Sequence, residues 1–168
     1  MNTLKMFVAA IGLSAFFALS ASAQTSIAKL DGGTIDVRSH DGKVVVLAIG
    51  ASWLPLSSKQ AEYTNALGKK YAGRNVVFYY IVTDSTNAKS KNFASVDAVR
   101  KFVAANRLSM PILRDSDGTV VLKSFKIDQV PSFVILDKTG AQAGEAFGGI
   151  DPKFDITVPI SKRIDSLL

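Results

Sequence analysis

Six consecutive apolar residues, Val44-Val-Val-Leu-Ala-Ile49, constrain this chain more than any other stretch. A strand with one face in water alternates apolar and polar residues, so an unbroken run requires cover on both faces. A second run of the same kind, Val76-Val-Phe-Tyr-Tyr-Ile-Val82, follows a segment in which Leu56, Tyr63, Leu67 and Tyr71 share one helical face. Two buried strands joined through a helix predict a layered α/β domain.

The remaining segments fill in that plan. Asp31-Gly32-Gly33 is a turn leading into the alternating strand Thr34-Ile-Asp-Val37, and Asp41-Gly42 turns into the first apolar run. Pro55 is expected to open the helix, because its ring pre-sets φ and it lacks an N–H that would go unpaired there. That places Leu54 near the N-cap, where leucine has no oxygen to offer, and Gly73 is the expected stop. Thr83 to Ala94 is polar and reads as a mobile loop. Ser95 and Asp97 open a second helix expected to turn Val96, Val99, Phe102 and Val103 inward. Met110 to Leu113 is a short extended piece before the Asp115-Ser-Asp-Gly118 turn, and Thr119 to Ile127 is ambiguous by periodicity. Ser132 to Leu136 is a strand, Asp137-Lys-Thr-Gly140 closes a hairpin, and Ala141 to Phe147 returns. Pro159 starts a last helix with Ile160, Ile164 and Leu167 as its stripe. The order predicts a three-layer α/β sandwich with a mixed sheet.

Residues 1–23 are set aside from folding. Lys5 precedes the apolar stretch Met6 to Leu19, and Ala21-Ser22-Ala23 gives the small-x-small pattern of a cleaved signal peptide. The stretch is short for a membrane span, and no cysteine follows it to carry a lipid, so no stable membrane anchor is expected. Residues 24–168 then form one domain, exported to a bacterial periplasm. The chain has no cysteine, so burial alone must hold it together. Its formal charge is +6, but the lysines and arginines are scattered without interleaved aromatics, which argues against nucleic acid.

Side-chain chemistry is sparse. Ser57 and Ser58 lack a neighbouring base, since the one histidine, His40, precedes the first buried strand and reads as a solvated loop residue. Asp115-Ser-Asp117-Gly118 lacks the downstream acid of a calcium loop, Gly148-Gly149 reads as a tight turn, and no phosphate loop is present. No cofactor and no metal are expected.

Two segments carry a family resemblance. Gly42-Lys-Val-Val-Val-Leu-Ala-Ile-Gly-Ala-Ser-Trp53-Leu-Pro-Leu-Ser57 resembles the active-site strand and motif of the thioredoxin superfamily, in its exported TlpA/ResA-like branch. Gln129-Val130-Pro131-Ser-Phe-Val-Ile-Leu-Asp137-Lys-Thr-Gly140 resembles that family's cis-proline loop, strand and hairpin turn, and Leu30 to Val37 fits its leading hairpin. The resemblance implies a thioredoxin-like sandwich with an N-terminal β-hairpin extension and a cis Val130–Pro131 bond. The family's two cysteines fall on Leu54 and Ser57. The buried acid and the aromatic that accompany them in thioredoxin fall on Ala48 and Gly50.

A redoxin attacks a disulfide with a thiolate held at a helix N-terminus, and neither leucine nor a neutral hydroxyl replaces it. The expectation is therefore a non-enzyme with no catalytic residue. Extended polypeptide, from an unfolded chain or another exported protein, would bind between Trp53, Leu54, Pro55, Leu56 and Val130, Pro131, in an accessory or chaperone-like role. Two other readings stand beside it: a supporting member of a thiol–disulfide or antioxidant system, and a decayed paralogue whose fold outlived its task.

Overall fold

The computed structural model describes residues 25–40 and 42–168. The signal peptide expected over residues 1–23 lies outside them, as does Asp41 of the second turn. In chain order the elements are β1 (Ser26–Lys29), β2 (Thr34–Asp36), β3 (Val44–Gly50), α1 (Ser57–Lys70), β4 (Val76–Val82) and α2 (Val96–Ala105). There follow β5 (Ile112–Arg114), a 3-10 turn at Ser116–Gly118, α3 (Val121–Ser124), β6 (Ser132–Leu136), β7 (Phe147–Gly148) and α4 (Thr157–Leu167). The strands form one mixed sheet ordered β2-β1-β5-β4-β3-β6-β7.

The two apolar runs are its centre. β3 and β4 pair in parallel from Val44↔Val76 to Gly50↔Val82, and β6 pairs antiparallel to β3 from Val45↔Leu136 to Ile49↔Ser132. Every residue of β3 is buried. Its side chains divide by parity. Val44, Val46 and Ala48 join Tyr63 and Leu67 of α1, Tyr71 at its C-cap, Val99 of α2 and Ile160 and Ile164 of α4. Val45, Leu47 and Ile49 join Val37, Val121, Phe125 and Ile127 on the other face. Burying side chains of this size contributes about 1.5–3 kcal/mol each, enough to dispense with a disulfide. The three-layer α/β sandwich with a leading β1–β2 hairpin is thus the observed fold.

Several local expectations are corrected. Helix α1 begins at Ser57, with Leu56 rather than Leu54 at its N-cap. Two successive turns come first, closed by Leu54 N–H to Ala51 O at 3.2 Å and Ser57 N–H to Leu54 O at 3.1 Å. Pro55 is the second residue of the latter turn, a place its fixed φ suits as well as a helix start. Val96 is 41% exposed, because the first residue of α2 points its side chain back past the Ser95 cap. The segment 83–94 is tied down rather than free. Thr83, Asp84 and Ser85 are buried, Ser85 bridges to Phe93, and the Arg114 guanidinium donates to the carbonyls of Ser85 and Ala94.

Thr119 to Ile127 resolves as the single turn α3, whose Val120 and Val121 N–H groups are accepted by the buried Asp115 carboxylate at 2.9 and 2.7 Å. The return from the Asp137–Gly140 turn is mostly irregular. Beyond a bridge at Leu136↔Gln142 only Phe147–Gly148 pairs with β6, since Gly144 takes φ +78 and breaks the extended run. At this margin the Arg163 guanidinium lies 4.1 Å from the Phe147 ring and donates to Glu145 O at 2.6 Å.

His40 is not a solvated loop residue. It is half-buried, its ring tilts against Tyr79, and Nε2 lies 2.9 Å from the Tyr79 hydroxyl. Burial, and then the Lys43 ammonium, lower its pKa, against a smaller opposing pull from Asp36. The folded state therefore prefers neutral imidazole, while the unfolded chain takes up the proton near the ordinary value of 6.5. Stability is complete above that pH and declines as pH falls from it toward the lowered folded value. Urea midpoints measured from pH 7.5 to 5 should fall accordingly, and His40→Gln should flatten that slope.

Candidate functional site

The predicted site residues meet at one end of the sheet. β3 runs out at Gly50 into the paired turns that carry Trp53, Leu54, Pro55 and Leu56 before α1. Because Ile49 pairs antiparallel with Ser132, the loop holding Val130 and Pro131 enters β6 at that same end. The Val130–Pro131 bond is cis. Trp53 is 53% exposed and Pro55 is exposed, whereas Leu54, Leu56 and Val130 are half-buried and Pro131 is buried. Leu56 packs on the helix-side core and Val130 on the opposite one, so the two banks rest on different layers.

Ser57 has no nucleophilic role available in this setting. It is fully buried, and its hydroxyl donates to Ala51 O at 2.6 Å. His40 sits before β3, at the other end of the strand, engaged with Tyr79. Among the described residues no group of three or more His, Asp or Glu side chains converges to hold a metal ion. No helix among them is long and apolar enough to cross a membrane.

Two polar side chains that sequence reasoning missed organise the site from below. Asp84, fully buried just past the end of β4, accepts the Ser52 N–H at 2.9 Å and the Ser52 hydroxyl at 2.5 Å. It thereby fixes the residue next to Trp53. Gln60, also fully buried, donates from Nε2 to Ile49 O at 3.2 Å and to Ser132 O at 2.8 Å, and its Oε1 accepts the Tyr80 hydroxyl at 3.0 Å. Burial drives the Tyr80 pKa well above its ordinary range, so that hydroxyl remains a donor. The sequence did hold a signal for Gln60, which lies four residues after Leu56 and three before Tyr63, at the spacing of the buried face of α1. Asp84 was signalled only by its place two residues after a buried parallel strand.

The proline loop is pinned on both flanks and open between them. Ser132 Oγ donates to Gln129 O at 2.8 Å, and Ser132 O accepts from Gln60. Among the described residues, neither the N–H nor the C=O of Val130 has a hydrogen-bond partner. An open groove of about 630 Å³ is lined by Phe125, Lys126 and Asp128 and by Gln142 and Gly144 to Ala146 of the return, rather than by Trp53.

A β3-turn-α1 unit facing a cis-proline loop across a mixed sheet defines a thioredoxin-like redoxin fold. The sequence over residues 18–141 matches the AhpC/TSA family, and the chain belongs to that family. Solved structures agree on the fold. A secreted Mycobacterium tuberculosis disulfide oxidoreductase homologous to E. coli DsbE is similar at 24% identity and TM-score 0.65, covering 86% of this chain and 96% of that one. A thioredoxin-like protein from Aeropyrum pernix superposes with TM-score 0.67 at 22% identity, covering 85% and 89% of the two chains. The exposed lipoprotein thioredoxin of Streptococcus pneumoniae gives 0.67 at 20% identity, covering 86% and 100%. No curated protein matches the sequence.

Trp53 is the single tryptophan of the chain, so its fluorescence reports on this bank alone. Asp84→Ala would strand the Ser52 donors and should cost about 1–3 kcal/mol of stability in urea denaturation. In the folded variant, acrylamide quenching of Trp53 should rise above that of the parent.

Proposed function

We propose that this chain is an exported, non-catalytic redoxin relative that binds extended polypeptide between Trp53, Leu54, Pro55, Leu56 and Val130, Pro131. One observation carries the reading: the unpaired backbone N–H and C=O of Val130, held in a loop fixed on both sides. Such a segment offers a donor and an acceptor to an incoming strand, and strand addition needs no thiol. The half-exposed Trp53 ring across the cleft offers an apolar contact for a side chain of the same strand. The leader pattern in residues 1–23 supports a periplasmic site of action.

The reading excludes redox turnover by this chain. Disulfide exchange begins with a thiolate forming a mixed disulfide, and the sequence supplies no sulfhydryl. Membership of the AhpC/TSA family favours service beside thiol–disulfide enzymes, as an accessory that holds a polypeptide they act on.

Two measurements test this. A fluorescein-labelled decapeptide of alternating apolar and polar residues should bind the wild-type chain, with fluorescence anisotropy rising to saturation. Val130→Asp should weaken it at least about tenfold, because a charge is placed where a strand must dock. The purified protein should reduce insulin disulfides no faster than buffer containing the same dithiothreitol. Peptide affinity unmoved by Val130→Asp, or measurable turnover, would sink the proposal.

A further inference from the structure

Gly50 and Gln60 belong to one another. A Cβ built on Gly50 would collide with Gln60 Oε1 and lie 3.2 Å from the Tyr80 hydroxyl and 3.4 Å from Ser57 Oγ. The glycine is therefore not a loosened strand end. It is the space into which Gln60 reaches from α1, four residues into the helix. From there the amide joins three strands: Nε2 donates to a carbonyl of β3 and one of β6, and Oε1 accepts from Tyr80 of β4. All the side chains concerned are buried, so each of these bonds forms where water cannot substitute for it.

The bond to Ser132 O has a particular consequence. Ser132 follows Pro131 directly, and its hydroxyl already ties back to Gln129 O. With its carbonyl bound to Gln60, the residue after the proline is fixed to the helix whose N-cap is Leu56. Both banks of the cleft are thus referred to one amide. Binding is stronger when the docking groups need no ordering on contact, because the entropy of arranging them has already been lost on folding.

We infer that Gln60 is a positioning residue that holds the Val130–Pro131 loop at a fixed distance from the Trp53 turn, preorganising the cleft for an extended chain. This rests on the peptide-binding reading above and adds to it the residue that sets the geometry.

The experiment must separate positioning from mere space filling. Gln60→Leu removes the bridge and leaves the Tyr80 hydroxyl without its best acceptor, so stability and peptide affinity should both fall. The triple variant Gly50→Ala, Gln60→Leu, Tyr80→Phe refills the volume: leucine ends one atom short of Oε1, the added methyl occupies that gap, and no hydroxyl is orphaned. It should recover most of the lost Tm. It should still bind the fluorescein-labelled decapeptide at least about tenfold more weakly than wild type, because no donor faces Ser132 O. Hydrogen exchange at the Ser132 and Phe133 amides, read by NMR without any peptide, should stay faster than wild type in the triple variant while the α1 amides return to wild-type rates.

A triple variant that matches wild type in both peptide affinity and exchange at these amides would show that Gln60 only fills space, and the inference would be overturned while peptide binding stood. If the wild-type chain bound no peptide, the binding proposal would fall by itself. The exchange rates would then decide alone whether Gln60 fixes the loop.

Discussion

The site depends on how β3 is gripped. Its parallel pairing to β4 over seven residue pairs and its antiparallel pairing to β6 over five leave it no freedom to slide. A slip of one residue would send Val45, Leu47 and Ile49 to the wrong face. With β3 fixed, the turn that leaves it and the loop that enters β6 are brought to one end of the sheet. The register alone therefore places Trp53 and Val130 on facing banks, and the buried polar contacts of Asp84 and Gln60 refine that placement.

What stands at that junction is a redoxin scaffold without a sulfhydryl. Leu54 is half-buried and apolar, and Ser57 spends its hydroxyl on Ala51 O. Ala48 and Gly50 occupy the positions that resemble the acid and the aromatic of thioredoxin. The structure adds that the space above Gly50 is filled by the Gln60 amide, whose nitrogen and oxygen are both hydrogen-bonded. An orphaned polar group or a void at that position would each cost stability, and the Gln60 amide leaves neither.

Much of this was legible before any coordinates. Continuous apolar runs gave β3, β4 and β6 nearly to the residue, and Ser95 marked the start of α2 because its hydroxyl accepts the Ala98 N–H. The misreadings share a cause. Pro55 suits both a helix start and the second place of a turn, and local sequence does not distinguish them. His40 looked solvated because its partner, Tyr79, is distant in sequence. The 83–94 segment looked mobile because its ties come from Arg114 on β5. The six predicted site residues were brought together, yet Gln60 and Asp84 were missed, since a buried amide or carboxylate reveals itself only through partners that folding supplies.

The guanidinium of Arg163 has a meaning beyond local packing. Lying on Phe147 and bonded to Glu145 O, it covers a side chain of the outermost strand and occupies a carbonyl just before it, where an incoming backbone would approach. Growth of the sheet at this rim would have to displace this half-buried cation first. The protection is confined to the β7 rim, since β2 forms the sheet's other edge.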